Sequence, residues 1–195
     1  KLIREVEIYR DDDIIVINKP EGIAVQGGSK VRRHIDGLMK ASSKSGEERP
    51  KLVHRLDRDT SGVLVLARNS FSARALAKAF REREIEKTYW AIVLSTPSPA
   101  KGEIDLPLYK RGEFGKEKVV SGTGRRAITR YVVIDNAGQD VAWMALYPET
   151  GRTHQIRVHC SAIGSPIIGD RKYGVGLATP EGLPCGNRLH LHSRR

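Results

Sequence analysis

Residues 54–67 read HRLDRDTSGVLVLA, a polar run that gives way to an apolar one. The apolar part, Val63–Ala67, is short and rich in β-branched residues, which favour an extended strand. The polar part, His54–Gly62, precedes that strand and contains the residues that typically form loops. The stretch therefore predicts a loop that feeds a β-sheet, with its charged side chains presented just before the strand.

Other short runs predict further strands, and most of these runs are rich in β-branched or aromatic residues. They are expected at Glu5–Tyr9, Asp13–Asn18, Thr88–Leu94, Arg130–Ile134, Val141–Tyr147 and Leu189–Ser193. Helical spacing of apolar residues predicts helices at Val31–Ser42, at Ser70–Glu84 with Ser70 as a possible cap, and at Thr153–Ile163. Because strands outnumber helices and do not alternate with them, we expect an α+β fold with a mixed, largely antiparallel sheet and flanking helices and loops.

The segment 110–126 carries six cationic side chains among four glycines. This composition is typical of a mobile basic loop, and it suits a solvated hairpin equally well. Both interpretations place a concentration of positive charge at one point of the surface.

Length and charge narrow the classes of protein. The 195 residues are 39% hydrophobic, enough for one sizeable core, and we expect a single domain over 1–195. The formal net charge of +11 indicates a polyanionic partner, with nucleic acid first and an acidic membrane surface second. No apolar run approaches the roughly 20 residues of a spanning helix, which weakens the membrane alternative. A basic surface that serves only solubility is the plainer interpretation.

The two cysteines, Cys160 and Cys185, are too few for a disulfide framework and lack the spacing of a zinc site. The chain begins at Lys1 and shows no signal peptide. We therefore expect a fragment of a longer chain that works in the reducing cytoplasm.

Two possible metal sites fail on spacing. The segment Asp57–Gly62 resembles the opening of a calcium-binding loop, but that loop requires Glu at its twelfth position, where Arg68 stands. His154 and His159 are five residues apart and would diverge on a helix. We expect no metal and no cofactor, and we expect the histidines to be structural or to contact nucleic acid.

Asp57 lies between Arg55 and Arg58, and a carboxylate close to guanidinium groups stays ionised at neutral pH. An ionised carboxylate can act as a nucleophile, as in glycosidases, and the bond between uracil and ribose is also a glycosidic bond. The plainer alternative is a surface aspartate in a local salt bridge. Local sequence alone favours the salt bridge.

Several separated motifs resemble the RluA family of RNA pseudouridine synthases in order and spacing, over about residues 13–192. Several motifs in order are far more specific than one short pattern. They are His54-Arg55-Leu56-Asp57 with Thr60-Ser61-Gly62, Val16-Ile17-Asn18-Lys19-Pro20 with Gly22, Lys87-Thr88-Tyr89, Thr150–His159, Ile168-Gly169-Asp170 and Tyr173-Gly174. The stretch 25–28 resembles the RluC-like branch, which implies 23S ribosomal RNA as the substrate.

The resemblance implies that Asp57 is the nucleophile, that Tyr89 stacks on the flipped uracil and helps to remove its C5 proton, and that Arg157 pairs with Asp57. Without the motifs, Tyr89 would be an ordinary strand aromatic and Arg157 an ordinary helix charge. The pattern leaves open whether Asp57 attacks C1′, adds to the uracil ring or abstracts a ribose proton.

Four more residues are candidates for substrate binding. By resemblance, Arg55 would fill the gap left by the flipped base. Ile156 would line the uracil pocket, although a core role suits it equally. Lys19 and His54 complete the set.

The resemblance implies an isomerase that acts as a monomer on structured RNA, away from membranes. Family members acting on large-subunit RNA often carry an amino-terminal S4-type RNA-binding domain, which we expect to be absent from this fragment. Two alternatives are a catalytically silent RNA-binding module and a different carboxylate enzyme acting on a sugar glycoside. The module explains the charge equally well, but it does not explain Asp57, Tyr89 and Arg157 together.

Overall fold

The computed structural model describes residues 2–28, 33–42, 48–112, 118–174 and 188–195. The chain forms two compact units, residues 1–85 and 86–195. Three features of the sequence lie outside the described residues: the predicted helix start at Val31, the central part of the basic segment at 113–117, and Cys185.

The first unit combines a small antiparallel sheet with three helices. The strand β2 pairs with β1 on one side and with β4 on the other, while β3 pairs with the end of β4. An isolated parallel bridge joins Ala24 and His34. The elements are α1 (Leu2–Glu5), β1 (Glu7–Arg10), β2 (Ile14–Lys19), α2 (Ile35–Ser42), β3 (Lys51–Leu52), β4 (Ser61–Ala67) and α3 (Ser70–Glu82).

Alternation along β2 shows why this segment is a strand. Ile15, Ile17 and Lys19 are buried, whereas the residues between them are partly or fully exposed. Side chains two residues apart in a strand point to the same face. Lys19 therefore occupies an inward position where the pattern would place another apolar side chain.

The second unit contains a five-stranded antiparallel sheet, a separate hairpin and one helix. The strands of the large sheet lie in the order β11, β5, β10, β9, β6, and the hairpin consists of β7 and β8. The elements are β5 (Tyr89–Leu94), β6 (Lys101–Asp105), β7 (Leu108–Arg111), β8 (Lys118–Ser121), β9 (Ile128–Ala137), β10 (Val141–Pro148), α4 (Gln155–Ala162) and β11 (Leu191–Ser193).

One face of the large sheet carries the core of this unit. Ala91 of β5 and Met144 of β10 belong to the same buried cluster as Ile156 and Cys160 of α4. A second cluster contains Leu108 and Val119 of the hairpin together with Val158 and Tyr173, so the hairpin is anchored by apolar contacts. The expected α+β class with a largely antiparallel sheet is confirmed, and β7 and β8 form the hairpin that one interpretation of the basic segment predicts.

Some predicted boundaries were wrong. Glu5 belongs to α1, and the first strand begins only at Glu7. The cap of α3 is Asn69 and not Ser70, because the Asn69 side chain accepts a hydrogen bond from Ser72 N at 2.8 Å. The helix ends at Glu82, since Arg83 adopts the left-handed conformation with φ 63°.

The helix α4 begins two residues later than predicted, at Gln155. The reason is His154, which has φ 54° and ψ 19° and so lies outside the helical region. The last strand is also shorter than predicted and covers only Leu191–Ser193. The strands β3 and β6 were missed, since neither has the β-branched run on which the predictions depend.

Candidate active-site residues

Asp57 lies in the first unit, on the loop between β3 and β4. Its neighbours Leu56 and Thr60 are 4% and 2% exposed and anchor the loop, while Asp57 itself is half-buried. Thr60 N donates to Asp57 O at 3.2 Å, which closes a turn around the carboxylate. Gly62 follows with φ 109°, a conformation that favours glycine. The loop thus holds a partly accessible carboxylate on an anchored turn.

Two arginines flank Asp57 in the sequence, and both are exposed. Arg58 Nε donates to Asp59 Oδ1 at 2.9 Å, so this guanidinium forms an ion pair with the next carboxylate along the loop. The exposure of Arg55 suits a residue that meets a large substrate.

Lys19 is fully buried and reaches under this loop. Its Nζ donates to Pro20 O at 2.8 Å, to Ile23 O at 2.9 Å and to Arg58 O at 3.1 Å. An ammonium group has three N–H donors, so three carbonyl acceptors match it in number. The contact with Arg58 O joins the turn after β2 to the loop that carries Asp57.

Burial lowers the pKa of Lys19 to about 8, although the carboxylates of Asp59, Asp57 and Glu21 favour its charged form. These contacts give Lys19 a role in holding the loop. Direct contact between Lys19 and a substrate remains a prediction.

The His54 ring also makes contacts inside the first unit. Its Nε2 accepts a hydrogen bond from Val65 N of β4 at 2.9 Å, and the ring stacks on Phe80 of α3 at 4.4 Å between centroids. Both contacts hold the start of the Asp57 loop against neighbouring elements. RNA binding by His54 remains a prediction.

Tyr89 lies in the second unit, as the first residue of β5. It is half-buried and packs against the cluster that contains Ile156. It therefore projects from the sheet face that carries α4. Ile156 is 7% exposed, so the core role that the sequence left open is present in the structure, and pocket lining stays a prediction.

Arg157 is buried in α4 and forms a two-pronged ion pair with Asp170. Nε donates to Oδ2 at 2.8 Å and Nη2 donates to Oδ1 at 2.7 Å. The side chains are 7% and 1% exposed. This geometry fixes the guanidinium plane, because two parallel hydrogen bonds leave it little freedom to rotate.

Asp170 accepts two backbone hydrogen bonds as well, from Lys172 N at 2.9 Å and from Tyr173 N at 3.0 Å. The largest single influence on the pKa of Asp170 is burial, which raises it. The hydrogen bonds and charge of Arg157, together with the two backbone donors, nevertheless hold its pKa below the usual range. Asp170 was not predicted as a site residue, although it lies in one of the quoted motifs.

Gly169, directly before Asp170, is required by a close approach of the chain. Its φ is 77°, and a Cβ there would lie 1.5 Å from Arg188 O. Any other residue would displace the segment that carries Asp170.

Buried hydrogen bonds tie the start of α4 to β9. Gln155 Nε2 donates to Ile128 O and to Thr129 Oγ1, both at 2.9 Å, and Gln155 Oε1 accepts from Thr150 Oγ1 at 2.6 Å. His159 Nε2 lies 3.1 Å from Leu106 O, and its Nδ1 lies 2.9 Å from Thr129 Oγ1. Because a carbonyl only accepts, Nε2 carries the proton of the neutral ring.

This network predicts acid sensitivity. Burial lowers the pKa of His159 below its ordinary value of 6.5, although the Leu106 carbonyl and Asp105 act in the opposite direction. As the pH falls below about 6.5, the unfolded chain takes up a proton that the folded protein does not, so the free energy of unfolding decreases by up to about 1.4 kcal/mol per pH unit. We expect urea unfolding between pH 7.5 and 5.5 to show a steeper loss for the wild type than for His159→Gln, which cannot titrate. Parallel curves would contradict this assignment.

Positive charge is concentrated around the hairpin of the second unit. Lys110, Arg111, Lys118, Arg125 and Arg126 are all exposed. Over 108–126 the sequence has six cationic side chains against two carboxylates. Such a patch suits a phosphate backbone.

The histidines and carboxylates do not assemble a metal site in the part of the chain that the structure describes, where no three His, Cys, Asp or Glu side chains are placed to hold an ion. None of the described helices is long and apolar enough to cross a membrane.

The candidates fall into two sets. Lys19, His54, Arg55 and Asp57 lie in the first unit, where Lys19 binds the loop that bears Asp57 and His54 joins the start of that loop to β4. The second set, in the other unit, consists of Tyr89, Ile156 and Arg157.

A family model described as RNA pseudouridylate synthase matches residues 13–162. The chain is 41% identical to ribosomal large subunit pseudouridine synthase C of Rickettsia bellii, over 99% of this chain and 63% of that protein. It is 43% identical to the dual-specificity RNA pseudouridine synthase RluA of Escherichia coli, over 96% of this chain and 84% of that protein.

Among solved structures, human RNA pseudouridylate synthase domain containing 4 superposes with a TM-score of 0.79 at 32% identity. The match covers 99% of this chain and 84% of the human one. The chain spans less than two thirds of the length of its Rickettsia relative.

Proposed function

Because the chain belongs to the RNA pseudouridylate synthase family, we propose that it isomerises specific uridines to pseudouridine in structured RNA. The observation that carries this proposal is the half-buried Asp57 on an anchored loop, with Lys19 bound beneath it. The basic hairpin and the net charge of +11 suit an RNA substrate.

The proposed substrate is 23S ribosomal RNA. The similarity to a ribosomal large subunit synthase supports it, as does the resemblance of residues 25–28 to the RluC-like branch. We further propose that the protein works as a monomer in the cytoplasm, that the two units act as one catalytic domain, and that the reaction needs no metal or cofactor.

The reaction begins when a uridine leaves its stack, which costs a few kcal/mol that contacts with the RNA must offset. The bond between N1 and C1′ breaks, the uracil turns, and C5 joins C1′ while the C5 proton leaves to solvent and N1 takes up a proton from it. Asp57 supplies the nucleophilic carboxylate, Tyr89 stacks on the uracil and helps to remove the proton, and Arg157 orients Asp57. Arg55 fills the gap left by the base, while Ile156, Lys19 and His54 support binding.

Release of tritium from RNA labelled at uridine C5 tests the proposal directly. Release by the wild-type protein, with none from a heat-denatured sample, is the expected result. Inert protein that still binds RNA would identify a silent binding module, and turnover of sugar glycosides without RNA would identify a different carboxylate enzyme.

Arg55→Ala separates base flipping from simple phosphate contact. A side chain that fills the gap matters most when a stacked base must be extruded. We expect the single-turnover rate to fall about tenfold more on a folded stem-loop than on an unstructured RNA with the same uridine. Arg58→Ala is the matched control, since Arg58 is exposed on the same loop and pairs with Asp59. Equal losses on both RNAs, with a shallower salt dependence, would assign Arg55 to a phosphate contact instead.

A further inference from the structure

Tyr173 lies where three pieces of the second unit meet: the hairpin, the start of α4 and the segment that carries Asp170. Its phenolic oxygen accepts a hydrogen bond from Val119 N at 3.3 Å and lies 2.7 Å from His154 Nδ1. Tyr173 is 9% exposed and belongs to the cluster that anchors the hairpin. One side chain therefore links β8 to α4.

The ring of Tyr173 also covers the guanidinium of Arg157, with 5.1 Å from Cζ to the ring centroid. Asp170 binds that guanidinium through two hydrogen bonds, and the Cζ atom lies over the Tyr173 ring. The backbone N–H of Tyr173 donates to Asp170 Oδ1, so Tyr173 contacts both members of the ion pair. Asp170 and Tyr173 together therefore hold the Arg157 guanidinium in place.

His154 adopts an unfavourable backbone conformation to make its contact. A residue other than glycine at φ 54° is strained, and the His154 side chain provides no cap for α4. Its ring instead meets Tyr173, with the ring planes at 73°. The helix that carries Arg157 is thus preceded by a residue in the left-handed conformation that contacts Tyr173.

We propose that Tyr173 is a positioning residue for the isomerisation. It fixes the location of the Arg157 guanidinium and couples that location to the position of the basic hairpin. Lys118 of that hairpin lies 5.3 Å from the Tyr173 ring centroid, so a cation offered to RNA sits directly beside the ring. RNA that shifts the hairpin would then also shift Arg157. This inference rests on the proposed function, in which Arg157 orients Asp57.

Tyr173→Phe tests the proposal, because it keeps the ring over Arg157 and removes the oxygen that contacts His154 and Val119. We expect the single-turnover rate to fall about tenfold while the Kd for RNA changes less than about twofold. Tyr109→Phe is the matched control, since it deletes a phenol from β7 of the same hairpin, and it should leave the rate unchanged. A proportional rise in Kd, or a wild-type rate in Tyr173→Phe, would overturn the proposal.

The same change in an Arg157→Lys background shows whether Tyr173 acts through Arg157. Residues that act through one another are not additive, so Tyr173→Phe should then cost less than about twofold further. A full additional tenfold loss would show that Tyr173 acts independently and would overturn the coupling.

A spectroscopic measurement separates failure of this inference from failure of the proposed function. The Arg157 Nε–H, which donates to Asp170, gives an NMR resonance that reports the geometry of the ion pair without any turnover. We expect Tyr173→Phe to shift that resonance and Tyr109→Phe to leave it in place. An unmoved resonance would overturn the positioning role even in an active enzyme, whereas a shift in a protein that releases no tritium would leave positioning intact and remove the proposed reaction.

Discussion

Asp57→Asn is expected to abolish turnover while RNA binding survives. The amide keeps the shape of the carboxylate but lacks its charge and most of its nucleophilicity. Loss of a nucleophile typically costs about 10⁴-fold or more in rate, so tritium release should fall to background. The Kd for RNA should change less than about twofold, because Leu56, Thr60 and Lys19 anchor the loop and the amide keeps the shape of the carboxylate.

Asp59→Asn is the control for this change, since Asp59 lies on the same loop and pairs with Arg58 on the surface. It should retain turnover. Mass spectrometry must exclude deamidation of the introduced asparagine. Appreciable turnover by intact Asp57→Asn protein would remove Asp57 from the role of nucleophile.

The second large effect is expected at Arg157. Lysine keeps the charge but loses the planar fork that holds Asp170, so Arg157→Lys should turn over slowly and Arg157→Ala more slowly still. Arg157→Ala also leaves a buried carboxylate without its partner, which typically costs about 3–5 kcal/mol of folding stability. Urea unfolding and single-turnover rates measure the two effects separately.

A double variant distinguishes loss of stability from loss of chemistry. Arg157→Met with Asp170→Asn removes both buried charges and keeps an oxygen that can accept from Lys172 N and Tyr173 N. We expect it to recover part of the stability lost in Arg157→Ala, because a buried pair can be replaced by neutral groups at little cost. Turnover should stay low, and its recovery together with stability would reduce Arg157 to a structural role.

The elements that were predicted well are those whose signal is local. The apolar run Val63–Ala67 is a strand in any environment that buries one of its faces, and β4 contains it. Proline after Lys19 ends β2 through covalent geometry alone. Such signals depend on neighbouring residues, so they can be found without the fold.

The features that were missed depend on partners far along the chain. His154 contacts Tyr173, 19 residues away, and nothing near His154 in the sequence indicates its left-handed conformation. In the sequence, Asp170 resembles an ordinary surface aspartate, because its partner Arg157 lies close to it only in the folded chain. At α3 both Asn69 and Ser70 are good caps, and only the geometry of Asp13, which binds Ser72 Oγ and Asn69, distinguishes them.

Lys19 illustrates a different limit. Lys19 belongs to one of the family motifs and was predicted to bind the substrate. Its acceptors are backbone carbonyls, one of them 39 residues away, and carbonyls are present at every position of a sequence. Burial of this side chain could therefore be found only in the folded protein.

The three carbonyls that bind the Lys19 amine also make this amine a chemical reporter of loop opening. A reagent that acylates lysine needs an accessible amine, and Lys19 is inaccessible while its three hydrogen bonds hold. Its labelling rate therefore measures how often the Asp57 loop opens, as amide exchange measures local opening of a backbone. An RNA that binds this loop should slow the labelling of Lys19, because it favours the closed form of the loop. The labelling of an exposed lysine such as Lys40 reports only whether that part of the surface is covered.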